Sequence, residues 1–454
     1  MPNLTQLRMA AREIFDEALR GVDAEEAVRR AVQLEDSRVN FCDAATVEIG
    51  DGRNIYSIAI GKAAAAMASA LDVILGNRLA AGVVAGNIPG YENAGARIHP
   101  SSHWQIFQGG HPEPNDQSLA AAQASFALLK RANEERALVI FLISGGGSAM
   151  IEWPINESIT LADLRAANKA LINCGASISE INAVRRAFSA VKGGRLAARA
   201  PDCDQITLIV SDVPAGQERN VASGPTLAPP SDAPNALDVI ARYNLRAQLP
   251  ESILQALEGG AKPDSEPTSL RKHFVLLDNH RALEAAAAAA RRRGFATEIA
   301  GDVSDQPIEE GCAQLLSRLN SLHEQAKTQK SSQNHAVCLI SGGEFACPVG
   351  GEGLGGRNLE TALRLAAARN SNLPDSELFV AVCAGTDGID GNSPAAGAIV
   401  DSTTIQRARA IGLDPSDFIR RSDSYSFFVA LGDAIATGAT GTNVRDLRIL
   451  LSTA

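Results

Sequence analysis

The sequence predicts an α/β protein of two lobes, each a mostly parallel sheet flanked by helices. Three observations lead there. Short apolar runs alternate with helical periodicity along the whole chain, the pattern of repeated βα units. The chain has 454 residues, more than one compact core accommodates, so two domains are expected. The pentapeptide Leu-Ile-Ser-Gly-Gly occurs twice, ending at Gly146 and at Gly343, each time closing an apolar run. A Ser-Gly-Gly turn at the carboxyl end of a buried strand leaves amide N–H groups uncovered, and open α/β sheets bind ligands at those ends.

Taken in order, strands are expected at Ile55–Ile60 and at residues 82–85, 137–143, 206–210, 274–277, 336–340, 378–383 and 398–400. Helices are expected at residues 62–75, 117–132, 161–172, 180–198, 281–293 and 358–368. Prolines cluster at residues 228–234, and polar stretches follow at 262–269 and 325–334. The domain change is therefore placed near residue 235, giving lobes of residues 1–235 and 236–454. The final segment, 420–450, is a candidate for packing back on the first lobe.

Composition excludes several classes of function. The net charge of −10 and an aromatic content of 4% argue against nucleic acid and anionic membranes as partners. Small-molecule substrates remain. The seven cysteines are scattered without a C-x-x-C pair, as expected for reduced thiols in the cytoplasm. The first twenty residues lack the apolar core of a signal peptide, and no run is long enough to span a bilayer. No His/Cys/carboxylate group has zinc spacing, and His99 and His103 read as surface-loop residues.

The segments that can carry chemistry sit at predicted strand ends. Gly61-Lys62 opens a helix, where a lysine attracts phosphate or carboxylate; Tyr56 and Ala63 rule out a Walker A loop. Gly145, Gly146, Gly147 and Ser148 form a turn whose amides suit phosphate oxygens. Ser148 lacks the G-x-S-x-G setting of a hydrolase. Residues 184–195 are expected on one long helix, most of their charges forming a solvated basic face. Asp212 follows a strand and suits Mg²⁺ or proton abstraction. Ser341, Gly342 and Gly343 repeat the first turn, and Glu344 adds a carboxylate. Gly351, Gly353 and Gly356 match G-x-G-x-x-G, yet no strand runs directly into them, so a phosphate-wrapping loop before Arg357 fits better than a dinucleotide fingerprint. The loop at 384–394 crowds Asp387 and Asp390 among glycines, and the glycine loop at 438–446 carries Asn443.

Together these segments resemble the glycerate 2-kinase family, whose carboxyl-terminal half is called the MOFRL domain. The resemblance rests on Ile60-Gly-Lys-Ala63, Ser144-Gly-Gly-Gly-Ser148, Asn182-Ala-Val-Arg185 with Lys192-Gly-Gly194, Ser211-Asp-Val-Pro214 with Ala222-Ser-Gly-Pro-Thr226, Ser341-Gly-Gly-Glu344, Gly355-Gly-Arg-Asn358, Gly385-Thr-Asp-Gly388 with Asp390-Gly391, and Gly441-Thr-Asn443. It covers nearly the whole chain in order. It implies a Rossmann-like first lobe, a MOFRL-type second lobe and an active site in a cleft between them. It also implies ATP-dependent phosphorylation of D-glycerate at the 2-hydroxyl, a place in carbohydrate metabolism, and Lys62 and Arg357 as active-site residues.

Phosphoryl transfer needs positioning and charge neutralisation more than covalent help. Lys62 is assigned to the transferring phosphate, and Arg357 to that charge or to the glycerate carboxylate. Asp212 is placed with these two as catalytic, and Glu344 and Asp387 as Mg²⁺ ligands; the division of the three carboxylates between metal and hydroxyl stays open. Gly145, Gly146, Gly147, Ser148, Ser341, Gly342, Gly343, Gly355, Gly356 and Asn443 are expected to hold the nucleotide. A homodimer is compatible with these features. The rivals are an NAD(P)H-dependent hydroxypyruvate reductase and a non-catalytic protein of the same fold.

Overall fold

The computed structural model describes residues 3–50, 52–86, 103–259, 269–328, 336–370 and 378–453. His99 and most of the polar stretches at 262–269 and 325–334 lie outside the described residues. The chain forms two compact units, Ala24–Leu277 and Met1–Asp23 with Asp278–Ala454.

The unit Ala24–Leu277 begins with an antiparallel meander of β1 (Val32–Glu35), β2 (Arg38–Phe41) and β3 (Ala45–Glu48). Its main sheet contains β4 (Ile55–Ile60), β5 (Leu79–Gly86), β6 (Trp104–Gln108), β7 (Leu138–Ser144), β8 (Asp204–Val210) and β9 (Arg271–Leu277). The order is β6-β5-β4-β7-β8-β9, and every neighbouring pair is parallel. Each of these strands needs a crossover to reach the next, which puts helices on the faces and buries the central strands on both sides. All residues of β4 and β7 are accordingly buried. The chain runs outward from β4 in one direction and from β7 in the other, so their carboxyl ends form the switch point at which such sheets bind ligands.

The proline-rich stretch at 228–234 does not end this unit. The helices after it, Ala236–Arg242 and Glu251–Glu258, return to pack on Leu161–Asn173 and Ile178–Phe188. Leu164, Leu171, Val184, Phe188, Ile240 and Ile253 share that small core. Apolar burial thus carries the division on to Leu277–Asp278, past the position near residue 235 that the prolines suggest. The helix expected at 180–198 is also broken. It stops at Phe188, Gly193 and Gly194 turn at φ +67° and +86°, and a short helix resumes at Arg195–Ala198.

The second unit holds a sheet of β10 (Ala296–Ile299), β11 (Val337–Gly342), β12 (Leu378–Gly385), β13 (Gly397–Asp401), β14 (Ala434–Ile435) and β15 (Asp446–Thr453), in the order β10-β11-β15-β12-β13-β14. The α/β class holds, but this sheet is mixed where a mostly parallel one was expected. Only β10 and β11 pair in parallel; β15 lies antiparallel between β11 and β12. β12 and β13 are joined by a short loop, which cannot make a crossover and forces antiparallel pairing. The final segment therefore ends at the centre of its own sheet, where all eight residues of β15 are buried.

The chain's first helix, Leu4–Gly21, belongs to this unit as well. Leu7, Ala11, Ile14, Phe15 and Ala18, at helical spacing, are buried with Leu283, Ala286, Ile340, Val382 and Ile449 on one face of the sheet. Arg8 adds ion pairs to Asp401 and, at 2.6 Å, to Asp433. The other face is covered by Ile308–Thr328, Arg357–Asn370 and the helices near residues 404–431. Among the described residues, no helix is long and apolar enough to cross a membrane.

Phe15 is fully buried, so Phe15→Ala should cost about 3–5 kcal/mol of the stability of this unit. Hydrogen exchange should accelerate in β12 and β15 and stay unchanged in β7. Equal acceleration in β7 would show that the first helix does not belong to the second unit alone.

Candidate active site

In the unit Ala24–Leu277, the predicted residues gather at the switch point. Gly61 follows β4 at φ +111°, and a Cβ there would lie 2.3 Å from the Ser144 carbonyl oxygen. Only glycine lets the two strand ends approach so closely. The Ser144 hydroxyl donates to the Ile60 carbonyl at 3.1 Å and accepts from the Ala63 amide at 3.0 Å. The Lys62 amide donates to the Gly145 carbonyl at 2.9 Å. Gly146 sits at φ +76°, and a Cβ there would come within 3.1–3.4 Å of Lys62 Cγ, Cδ and Cε, so the lysine stem lies along this glycine. Gly147 is pressed against Ile60 and Ala222. Half-buried Ser148 shares a 2.8 Å hydrogen bond with Ser223. Asp212, half-buried, follows the carboxyl end of the adjacent strand β8.

Behind this edge lie charges expected to be solvated that are in fact buried. Lys192 and Glu152 are each about 1% exposed and form an ion pair, and Glu152 also accepts the Ser189 hydroxyl at 2.5 Å. Burial pulls the Lys192 ammonium below its ordinary pKa, and the charge of Glu152 opposes this. Arg185 donates to Asn168 at 2.8 Å, and Arg186 to the Asn182 carbonyl at 3.0 Å and the Asn220 side chain at 3.1 Å. The helix break at Ser189 folds the following turn under the sheet, which helical periodicity could not anticipate.

The second Ser-Gly-Gly turn repeats the first. Gly343 stands at φ +74°, beside the +76° of Gly146. The Gly343 amide donates to the Asn279 side chain at 3.0 Å. Asn279 in turn donates to the carbonyls of Val444 at 2.7 Å and Asp446 at 3.0 Å, tying the turn to the start of β15. A Cβ on Gly342 would overlap Asn279 Oδ1 at 1.9 Å. The Ser341 hydroxyl donates to the Val303 carbonyl at 2.8 Å. Arg448, fully buried in β15, donates to the carbonyls of Gly342 and Gly343 and stacks 3.8 Å above the Phe345 ring.

Arg357 opens the helix Arg357–Asn370 between two carboxylates. Its Nε lies 2.6 Å from Asp446 and its Nη1 3.1 Å from Glu344. Burial alone would lower its pKa; Asp446 and Glu344 outweigh that and raise it. The carboxylate of Asp390, from the loop after β12, accepts the amides of Asn358 at 3.0 Å and Leu359 at 2.8 Å, capping this helix from outside. Gly355 and Gly356 meet that same loop: a Cβ on Gly356 would fall 2.4 Å from Asp390, and Gly355 exchanges hydrogen bonds with Asn392. Their lack of side chains is thus required by backbone packing. Asp387 is half-buried and accepts the Ile389 amide at 3.2 Å. Half-buried Asn443 precedes Val444, whose amide donates to Thr386 at 2.9 Å.

Periodicity and spacing pointed to neither Asp446, Asn279 nor Arg448. A readable signal existed for Arg448, an arginine inside the apolar run Leu447–Leu451, and for Asp446, which ends the glycine loop. Asn279 carried none, since its role depends on a contact across more than 160 residues.

The geometry meets known proteins at this point. Residues 10–258 match the family described as "Domain of unknown function (DUF4147)", and residues 337–446 match the MOFRL family. A D-glycerate 2-kinase from Thermotoga maritima is 33% identical, over 87% of this chain and 90% of its own length. The chain belongs to the glycerate 2-kinase family. Its members also carry another name: a relative in Agrobacterium vitis called a putative hydroxypyruvate reductase is 37% identical over 99% of this chain and 95% of its own length. The crystal structure of a Thermotoga maritima glycerate kinase superposes with a TM-score of 0.78 at 31% identity, covering 98% of this chain and 99% of that one.

Burial pushes the Asp390 carboxyl up to about 7, against the two amide hydrogen bonds that favour its ionised form. A carboxyl whose folded pKa exceeds its unfolded value of about 3.9 contributes stability at low pH that is lost as pH rises through the folded value. Resistance to urea should therefore decline between about pH 4 and about pH 7 through this group. Asp390→Asn should flatten that part of the profile; an unchanged slope would assign it to other groups.

Proposed function

We propose that this protein transfers the terminal phosphoryl group of ATP to the 2-hydroxyl of D-glycerate, giving 2-phospho-D-glycerate and ADP. The observation that carries the reading is Lys62, laid along Gly146 where the order of a parallel sheet reverses. A lysine whose stem lies at that edge can carry its ammonium to phosphoryl oxygens bound there, and relatives named D-glycerate 2-kinase supply the acceptor.

In this reading Lys62 neutralises charge that grows on the moving phosphoryl group. Asp212 accepts the proton of the attacking hydroxyl. Gly145, Gly146 and Gly147 in one unit, and Ser341, Gly342, Gly343 and Asn443 in the other, are each candidates to hold phosphate oxygens. Arg357 already spans two carboxylates, so the second unit offers an acidic surface with one guanidinium embedded in it. Among the described residues, no three His, Cys, Asp or Glu side chains gather into a metal cage. That donor set fits Mg²⁺ arriving on ATP, which keeps waters and phosphate oxygens and needs only one or two carboxylates. Glu344 and Asp387 are the candidates, and bound Mg²⁺ would add neutralising charge at the phosphates. We place the reaction in the cytoplasm, with no nucleic acid or membrane partner and room for a homodimer.

The reductase reading draws support from the name of the Agrobacterium relative. The glycines at 351, 353 and 356 do not favour it: they pack against Arg421, Asp423 and Asp390 and follow no strand directly. Hydroxypyruvate with NADH or NADPH, followed by nicotinamide absorbance, should show no turnover.

ATP with D-glycerate should yield a C2 phosphate ester by phosphorus NMR; a C3 ester would overturn the proposed regiochemistry. Lys62→Ala should lower kcat roughly 10²- to 10³-fold with a smaller change in the KM for glycerate. EDTA should abolish turnover and Mg²⁺ restore it. Arg357→Lys keeps the charge but loses the two-pronged geometry, and should lose most of the activity. Unchanged constants for either variant would remove that residue from the mechanism.

A further inference from the structure

A chain of hydrogen bonds ends at Ser148 with fixed polarity. Arg186 Nη2 donates to the Asn220 side-chain oxygen at 3.1 Å, and Asn182 Nδ2 donates to the Asn220 carbonyl at 3.4 Å. That leaves Asn182 Oδ1 as the acceptor for the Ser223 hydroxyl at 2.8 Å. Ser223 has one proton, and it is committed to Asn182. In the 2.8 Å contact between Ser223 and Ser148, the proton therefore comes from Ser148. Asn182 and Ser223 are about 1% exposed, so water does not scramble the order. Ser148, half-buried beside Gly147 and the Lys62 turn, is left presenting lone pairs.

We infer that Ser148 is a hydrogen-bond acceptor that holds a hydroxyl group of the substrate, and that it does not donate to a phosphate oxygen. The hydroxyl it holds is one that keeps its proton. Everything behind Ser148 is a neutral donor or the Arg186 cation, so a proton passed inward meets no base. The attacking hydroxyl must lose its proton; the group at Ser148 is thus the other alcohol of a dihydroxy acid. Under the proposed reaction, on which this inference rests, that is the 3-hydroxyl of glycerate. A site that accepts from a substrate hydroxyl discriminates against the analogue lacking it, because its own polar atom then loses a partner. Ser148 would accordingly select glycerate over lactate.

Calorimetry on the full-length protein, which needs no turnover, tests this with D-glycerate, D-lactate and inorganic phosphate. Ser148→Ala should weaken D-glycerate roughly two- to twelvefold, the range of one net hydrogen bond, and leave D-lactate and phosphate unchanged. Ser223→Ala releases the Ser148 proton from its inward acceptor and should weaken glycerate in the same direction, again sparing lactate. Equal weakening of glycerate and lactate would make Ser148 merely structural. Weaker phosphate binding would make it an oxyanion donor. Glycerate binding within twofold of the parent in Ser148→Ala would likewise overturn the inference. A parent protein that binds no glycerate would overturn the proposed function as well, whereas bound glycerate indifferent to Ser148 overturns this inference alone.

Discussion

The geometry of the first unit's sheet edge depends on one close approach, the backbone of Gly61 against that of Ser144. Any side chain at Gly61 would push β4 and β7 apart at their carboxyl ends. That contact sets the distance between the strands where the topology reverses. It seats the Ser144 hydroxyl between Ile60 and Ala63, and it presents Gly146 as the floor under the Lys62 stem. The lysine stem thus lies along backbone that carries no side chain to displace it.

The second unit solves a related problem with the opposite chemistry. Its Ser-Gly-Gly turn has the same left-handed second glycine, but side chains from distant sequence support it. Asn279 holds the turn from one side and Arg448 from the other. Arg357 is fixed by Asp446 and Glu344, so its charge is already shared between two carboxylates. The two copies of one pentapeptide thus stand beside a lysine laid along a glycine in one unit and an arginine shared between two carboxylates in the other.

Sequence made the strands and the glycine turns legible because both are local. Eight apolar runs marked eight of the observed strands, β4 to the residue, since a strand buried on both faces has little choice of composition. The meander, β6, β10, β14 and β15 escaped because they are short, half-polar or interrupted by Arg448. The unit boundary was misplaced because prolines mark a loop, and only packing decides whether the chain returns. The basic face at 184–195 was misread for a related reason. A positive charge on a predicted helix looks solvated until a break turns it inward, and the break at Ser189 depends on Glu152, far away in sequence. Of the candidate site, the glycines and Lys62 were readable; Asn279, Asp446 and the support from Arg448 were not, because their partners lie across the fold.

Two kinds of buried charge then separate. Lys192 with Glu152 is a closed pair, and removing either partner would strand the other at a cost of about 3–5 kcal/mol. Such a pair fixes where the 189–195 turn lies under the sheet. Arg186 and Arg448 are different. Each is buried, each donates only to uncharged oxygens, and each leaves guanidinium nitrogens without a hydrogen-bond partner, Nη1 in Arg186 and both Nε and Nη1 in Arg448. Burial lowers the pKa of both, yet a guanidinium stays protonated in a protein. Stability alone would favour an apolar side chain of similar volume at either position. What both arginines do instead is fix the direction of neighbouring dipoles. Arg448 pulls the carbonyls of Gly342 and Gly343 inward, and Arg186 orients the amides that end at Ser148. In each unit a glycine turn supplies the backbone shape, and a buried cation behind it sets the polarity of the groups facing outward.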